Sequence, residues 1–108
     1  MVIQQGDVLF IQVPKNKVPE AKKSVQAGPR GFVLAEGEKT GHFHILEAHA
    51  GTTLHEIDGD DDFILHVEKE SEVVHDEHGT GIIPAGDYVI RKVQEYDHFA
   101  EEARKVQD

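Results

Sequence analysis

The apolar residues of this chain recur mostly with a period of two, in short runs broken by turn residues. That period decides the fold class, because it suits a half-buried strand and not a helix. Val8-Leu9-Phe10-Ile11-Gln12-Val13 is the first such run, and Pro14 closes it, since proline cannot donate to a β-ladder. Phe32-Val33-Leu34-Ala35, the segment 42–48, the segment 52–57, Phe63-Ile64-Leu65-His66-Val67 and Glu72-Val73-Val74-His75 follow. The last run covers 87–93, with Tyr88 and Ile90 on one face and Val89, Arg91 and Val93 on the other. Gly28-Pro29-Arg30-Gly31, the stretch 37–41, Ala50-Gly51 and Pro84-Ala85-Gly86 read as turns. Asp58-Gly59-Asp60-Asp61-Asp62 reads as the turn of a hairpin between 52–57 and 63–67.

Two stretches depart from this pattern. Residues 15–23 are polar and basic with Pro19 inside, which predicts a loop or one helical turn over 19–23. From about Asp97 the period lengthens. Phe99, Ala100, Ala103 and Val106 take helical spacing, Asp97 is placed to cap, and Glu101 and Glu102 precede Arg104 and Lys105 as a helix dipole prefers. The expectation is one all-β domain over 1–108, a small β-sandwich or barrel, with a short C-terminal α-helix from about 97.

Charge and composition narrow the partners. With no cysteine, disulfides and thiolate metal sites are excluded, and any metal must use imidazole, carboxylate or water. Eleven basic against twenty-one acidic residues leave a net charge of −10. Nucleic acid and anionic membranes carry the same sign, so neither is an expected partner, whereas a cation or a basic protein is. The first residues, Met1-Val2-Ile3-Gln4-Gln5-Gly6-Asp7, lack the basic and long apolar regions of a signal peptide or membrane span, so a cytoplasmic setting is expected. Nucleophile elbows and phosphate loops are absent from the sequence.

Eight histidines in 108 residues is a heavy load. In Gly41-His42-Phe43-His44-Ile45-Leu46 two of them are one residue apart, so a strand would project His42 and His44 together and turn Phe43 and Ile45 the other way. His75 and His78 follow in His75-Asp76-Glu77-His78, three apart, so the segment must bend for both to reach one point, as Gly79 permits. Neutral imidazoles in this arrangement suit a divalent transition metal: zinc, nickel or iron. Glu47, Glu77 and Tyr96 are candidate acids, bases or hydrogen-bond donors beside it. His49, His55, His66 and His98 read as surface or edge-strand residues. The acidic turn 58–62 has carboxylates at alternate positions as calcium loops do. However, Phe63 stands where such a loop needs glycine and Lys69 where it needs glutamate, so a solvated hairpin tip is the better reading.

Gly37, His42, His44, Glu47 and Gly51, with Gly79 and Pro84-Ala85-Gly86, resemble the two motifs of the cupin barrels. The spacings around His42 and Glu47 are short for that pattern, and Val89 stands where its last histidine belongs, so a cupin-like site would take its final ligand from His75 or His78. A wider resemblance covers most of the chain. Gln5-Gly6-Asp7, Gly41-His42-Phe43-His44, His75-Asp76-Glu77-His78, Pro84-Ala85-Gly86-Asp87-Tyr88 and Glu95-Tyr96 are similar to the pattern of a family of small bacterial and phage-associated proteins of unknown function. That resemblance implies no activity, but it groups the four histidines as a set.

Three functions remain in view. The chain binds a divalent metal through His42, His44, His75 and His78, with catalysis left open. Alternatively it is a non-catalytic acidic module meeting a basic protein partner, with its histidines at the surface; in either case a homo-oligomer is open. In the third reading the histidines hydrogen-bond a small ligand in a barrel mouth. The first is the favoured expectation.

Overall fold

The computed structural model describes residues 1–36, 43–57, 62–75, 79–93 and 104–105. Among these residues, eleven strands form two sheets. In chain order they are β1 (Val2–Gln5), β2 (Val8–Val13), β3 (Ala21–Val25), β4 (Phe32–Glu36), β5 (Phe43–Leu46), β6 (Thr53–Ile57), β7 (Phe63–Val67), β8 (Ser71–Val74), β9 (Gly81–Ile83), β10 (Gly86–Lys92) and β11 (Arg104–Lys105). The larger sheet runs β11-β1-β2-β10-β7-β6-β3 and the smaller β4-β5-β8-β9. Every pairing is antiparallel except that of β11 with β1.

Alternation places the core. Ile3, Val8, Phe10, Leu54, Leu65, Val67, Tyr88 and Ile90 face inward from the large sheet, and Phe32, Leu34, Leu46, Val73 and Ile83 meet them from the small one. Removing such side chains from water is the main term that holds two sheets together. The architecture is therefore a sandwich and not a closed barrel. Tyr88 and Ile90 share the inward face of β10, as their spacing predicts. The acidic hairpin is also as expected, with β6 and β7 paired through Glu56 and Phe63 on either side of the turn.

Two expectations are corrected. The helical turn near Pro19 falls instead at Lys15–Lys17, as a single 3-10 turn, and Ala21–Val25 is a strand on the edge beside β6. Only Val25 of that strand packs on the core, so the hydrophobic period gives no signal there. Of the expected C-terminal helix from about 97, all but Arg104 and Lys105 lies outside the described residues; those two are extended and pair in parallel with Ile3 and Gln4. Free backbone groups on the edge of β1 offer this segment hydrogen bonds that local helical spacing does not reveal. Among the described residues, no helix is long and apolar enough to cross a membrane.

The Pro84–Tyr88 motif has a structural explanation. The fully buried Tyr88 folds its hydroxyl back onto the turn and donates to the carbonyl of Pro84 at 2.7 Å. Burial also pushes its phenol pKa up. Gly86 takes a φ of 149°, and a Cβ there would stand 3.1 Å from the Gln12 amide nitrogen, so glycine is needed at this corner. Replacing Tyr88 by Phe should remove one buried hydrogen bond and cost about 1 kcal/mol. Thermal unfolding should then begin about 4–8 °C lower, with the far-UV spectrum unchanged.

Candidate functional site

Strand β1 turns Ile3 and Gln5 toward the core, and Gln5 is completely buried there. A buried amide is costly unless its hydrogen bonds are made. Gln5 makes them across the end of the sandwich. Its Nε2 donates to the carbonyls of Val73 at 3.0 Å and Gly79 at 2.8 Å, and its Oε1 lies 2.8 Å from Nδ1 of His44. One side chain of the large sheet is thereby bonded to β5, to β8 and to the segment entering β9.

His44 shares a side of β5 with Leu46, so it points inward and is only 2% exposed. Ile45 pairs with Val74 and Leu46 with Val73. Extending that register by one residue brings His75 beside His44, and the two rings lie 4.2 Å apart between centroids at an angle of 41°.

The bonding of Gln5 fixes the proton on His44. Both N–H bonds of the amide are directed at backbone carbonyls, so its oxygen must be what faces the imidazole, and Nδ1–H must be the donor. The other ring nitrogen, Nε2, is turned to Oδ1 of Asp7 at 3.2 Å. Asp7 sits in the two-residue turn between β1 and β2, where Gly6 has a φ of 56°. That turn is braced twice: the Gln4 amide donates to the Gly6 carbonyl at 2.8 Å, and the Val93 N–H donates to the Asp7 carbonyl at 2.7 Å. The Asp7 carboxylate is 59% exposed, so the site opens to solvent on this side.

Of the four expected metal ligands, the structure brings His44 and His75 together. His42 and His78 lie outside the described residues, as do Glu77, Tyr96 and His98. Among the described residues, no group of three or more His, Asp or Glu side chains is arranged to hold a metal ion. Of the acidic turn, 58–61 also lie outside them. Glu47 is engaged elsewhere: it accepts the backbone N–H of Glu72 at 2.7 Å and pairs with His49 at 3.0 Å. The Glu72 N–H, then His49, lower its carboxyl pKa. His55 lies half-buried on β6, whose neighbouring Leu54 faces the core. His66 is more than a surface residue, since it is held between Glu68 at 2.9 Å and Asp87 at 2.8 Å. These two carboxylates, Glu68 first, raise its pKa. Gln5 and Asp7 were visible in the sequence only as part of a motif. The available signal was a polar Gln5 at a position where alternation with Ile3 demands an inward side chain.

A family described as "Domain of unknown function (DUF8820)" matches residues 4–93. The chain belongs to that family. No curated protein and no solved structure is significantly similar to the chain. The match spans Gln5 and Asp7, His44, His75 and the Tyr88 turn, and gives no support to the cupin likeness.

The two carboxylate–histidine pairs should be separable by pH. The folded pKa of His66 is raised, so its contribution is fully present below the unfolded value of about 6.5 and fades as pH rises through the folded one. In urea titrations His66→Gln should therefore be most destabilising near pH about 5.5 and approach the parent at alkaline pH. Glu47 is depressed, so the penalty of Glu47→Gln should be present above about 4.5 and vanish as pH falls through its lower folded value.

Proposed function

We propose that this protein binds a divalent transition metal at the end of the sandwich where His44 and His75 meet, with His42 and His78 supplying further imidazoles. Zinc, nickel and iron are the ions whose chemistry fits an imidazole-rich site without thiolate. The observation that carries the reading is the orientation of His44. Metal-binding histidines as a rule give their second ring N–H to a fixed acceptor, which sets the tautomer and aims the ligating lone pair. Here the buried Gln5 oxygen is that acceptor, at 2.8 Å. The net charge of −10 adds a long-range attraction for cations. Gln5 is itself locked by two carbonyls, so the imidazole is aimed before any ion arrives. The proposal is for binding; a catalytic role would further require a coordination position left to substrate or water.

Binding only to the folded chain should raise its melting temperature. At about a hundredfold excess of free zinc over Kd the gain is about 2.7 kcal/mol. The shift should shrink as pH falls through about 6.5, where protons compete for imidazole. Replacing His75 or His42 by Ala should remove most of the shift, while His55→Ala should keep it. A His75→Ala protein that responds to zinc and nickel as the parent does would refute this reading and favour the acidic interaction module.

A further inference from the structure

Strand β2 has Gln5 beside Val8 at one end and Asp87 beside Val13 at the other. At this second end lies a cluster that the metal reading does not use. We infer that His66, Asp87 and Glu68 form a pH-operated clasp on the β5–β6 loop: the doubly protonated ring of His66 holds Glu68 against Gly51, and loss of one ring proton releases Glu68 and the loop.

Both ring nitrogens of His66 meet carboxylates. Nδ1 lies 2.8 Å from Oδ1 of Asp87, and Nε2 lies 2.9 Å from Oε1 of Glu68. An ionised carboxylate only accepts, so both contacts are hydrogen bonds only while both nitrogens carry protons. A neutral imidazole keeps one N–H and turns a bare lone pair to the other carboxylate. Burial decides which bond is lost. The Asp87 side chain is 12% exposed and is paired in register with His66 across β10 and β7. That of Glu68 is 62% exposed and can rotate into water. Leaving the covered carboxylate unbonded is the more costly outcome, so the remaining proton stays on Nδ1 and Glu68 departs. The raised pKa of His66, caused first by Glu68 and then by Asp87, agrees with the doubly bonded form. The clasp is therefore closed below about 6.5 and opens as pH rises through the raised folded value.

Glu68 passes the change to the loop. Gly51 has a φ of 88° and sets its backbone against that side chain, where a Cβ would collide with Cγ of Glu68 and stand 3.1 Å from its Cβ. The turn is closed by the Thr52 N–H donating to the His49 carbonyl at 3.0 Å and the His49 N–H donating to Oγ1 of Thr52 at 3.3 Å. Its ends are fixed, since Glu47 is bonded to Glu72 of β8 and Thr53 pairs with His66 itself. Release of Glu68 thus frees a short turn between two anchored points. Around the ring, β10 contributes Asp87 and the segment after β7 contributes Glu68, while β6 sets the uncharged Thr53 opposite, with His55 two residues along. On the far side of the turn His49 pairs with Glu47 at 3.0 Å, and Lys69 acts on Glu47.

The test follows the full metal-free chain by NMR from about pH 5 to about pH 8.5. The Gly51 and Thr52 amides should shift with the same midpoint as the His66 ring. Exchange of the Thr52 amide, corrected for its intrinsic rate, should rise about tenfold through that midpoint. In His66→Gln both amide shifts should stay flat. Glu68→Ala should lower the His66 midpoint and uncouple the two amides from it. Both replaced side chains reach solvent, and an intact amide spectrum confirms the fold of each variant. Amides that ignore the His66 ring in the parent overturn the clasp. So do amides that still titrate in His66→Gln, which would place the control at His49, and a Glu68→Ala protein whose loop follows His66 as the parent's does.

Discussion

Bonding the amide of Gln5 is the constraint on which the end of this sandwich depends. An unbonded amide at that depth would cost about 1–3 kcal/mol. The fold meets the demand by drawing in three groups distant in sequence: the carbonyls of Val73 and Gly79 and the ring of His44. Those bonds run from one sheet to the other where the apolar layer of Leu46, Val73 and Ile3 gives out. They differ from the apolar contacts in being directional. Hydrophobic burial holds the sheets at a distance but leaves some freedom to slide, while a bonded amide fixes register and orientation together.

Much of the architecture was legible because it follows from a period of two. Val8–Val13 and Phe63–Val67 appear as strands within the bounds the sequence suggests, and the inward pairing of Tyr88 with Ile90 is as expected. The failures share a cause. Strand β3 is exposed except at Val25, β1 fills one of its two inward positions with the polar Gln5, and β11 is two residues joined to β1 by backbone bonds. None of them needs a run of apolar residues, so hydrophobic pattern is silent about them. The helical spacing after Asp97 was a local signal, and long-range pairing prevailed over it at Arg104 and Lys105.

The site was legible in a different way. Spacing grouped His42, His44, His75 and His78, but it is the pairing of β5 with β8 within the small sheet that sets His75 beside His44. Spacing could not reveal Gln5 or Asp7, since their role depends on how a turn at the start of the chain meets a strand some forty residues later. It also misjudged His66. That residue looks like an ordinary half-exposed strand histidine, and only the pairing of Asp87 with His66 across β10 and β7 shows that its two nitrogens are already taken by carboxylates. His66 lies between two carboxylates, whereas His44 lies between the buried amide of Gln5 and the exposed carboxylate of Asp7.

The lysines of β3 have a consequence for the molecule among its own copies. An edge strand is an open template onto which another chain can add its backbone. Lys22 and Lys23 stand next to each other on this one, so an ammonium group projects from each face of the strand end. A second β3 edge arriving to extend the sheet would have to bring its own lysines alongside and strip water from all of them. Extension of the large sheet through this edge is therefore opposed by the charge and hydration of its own lysines.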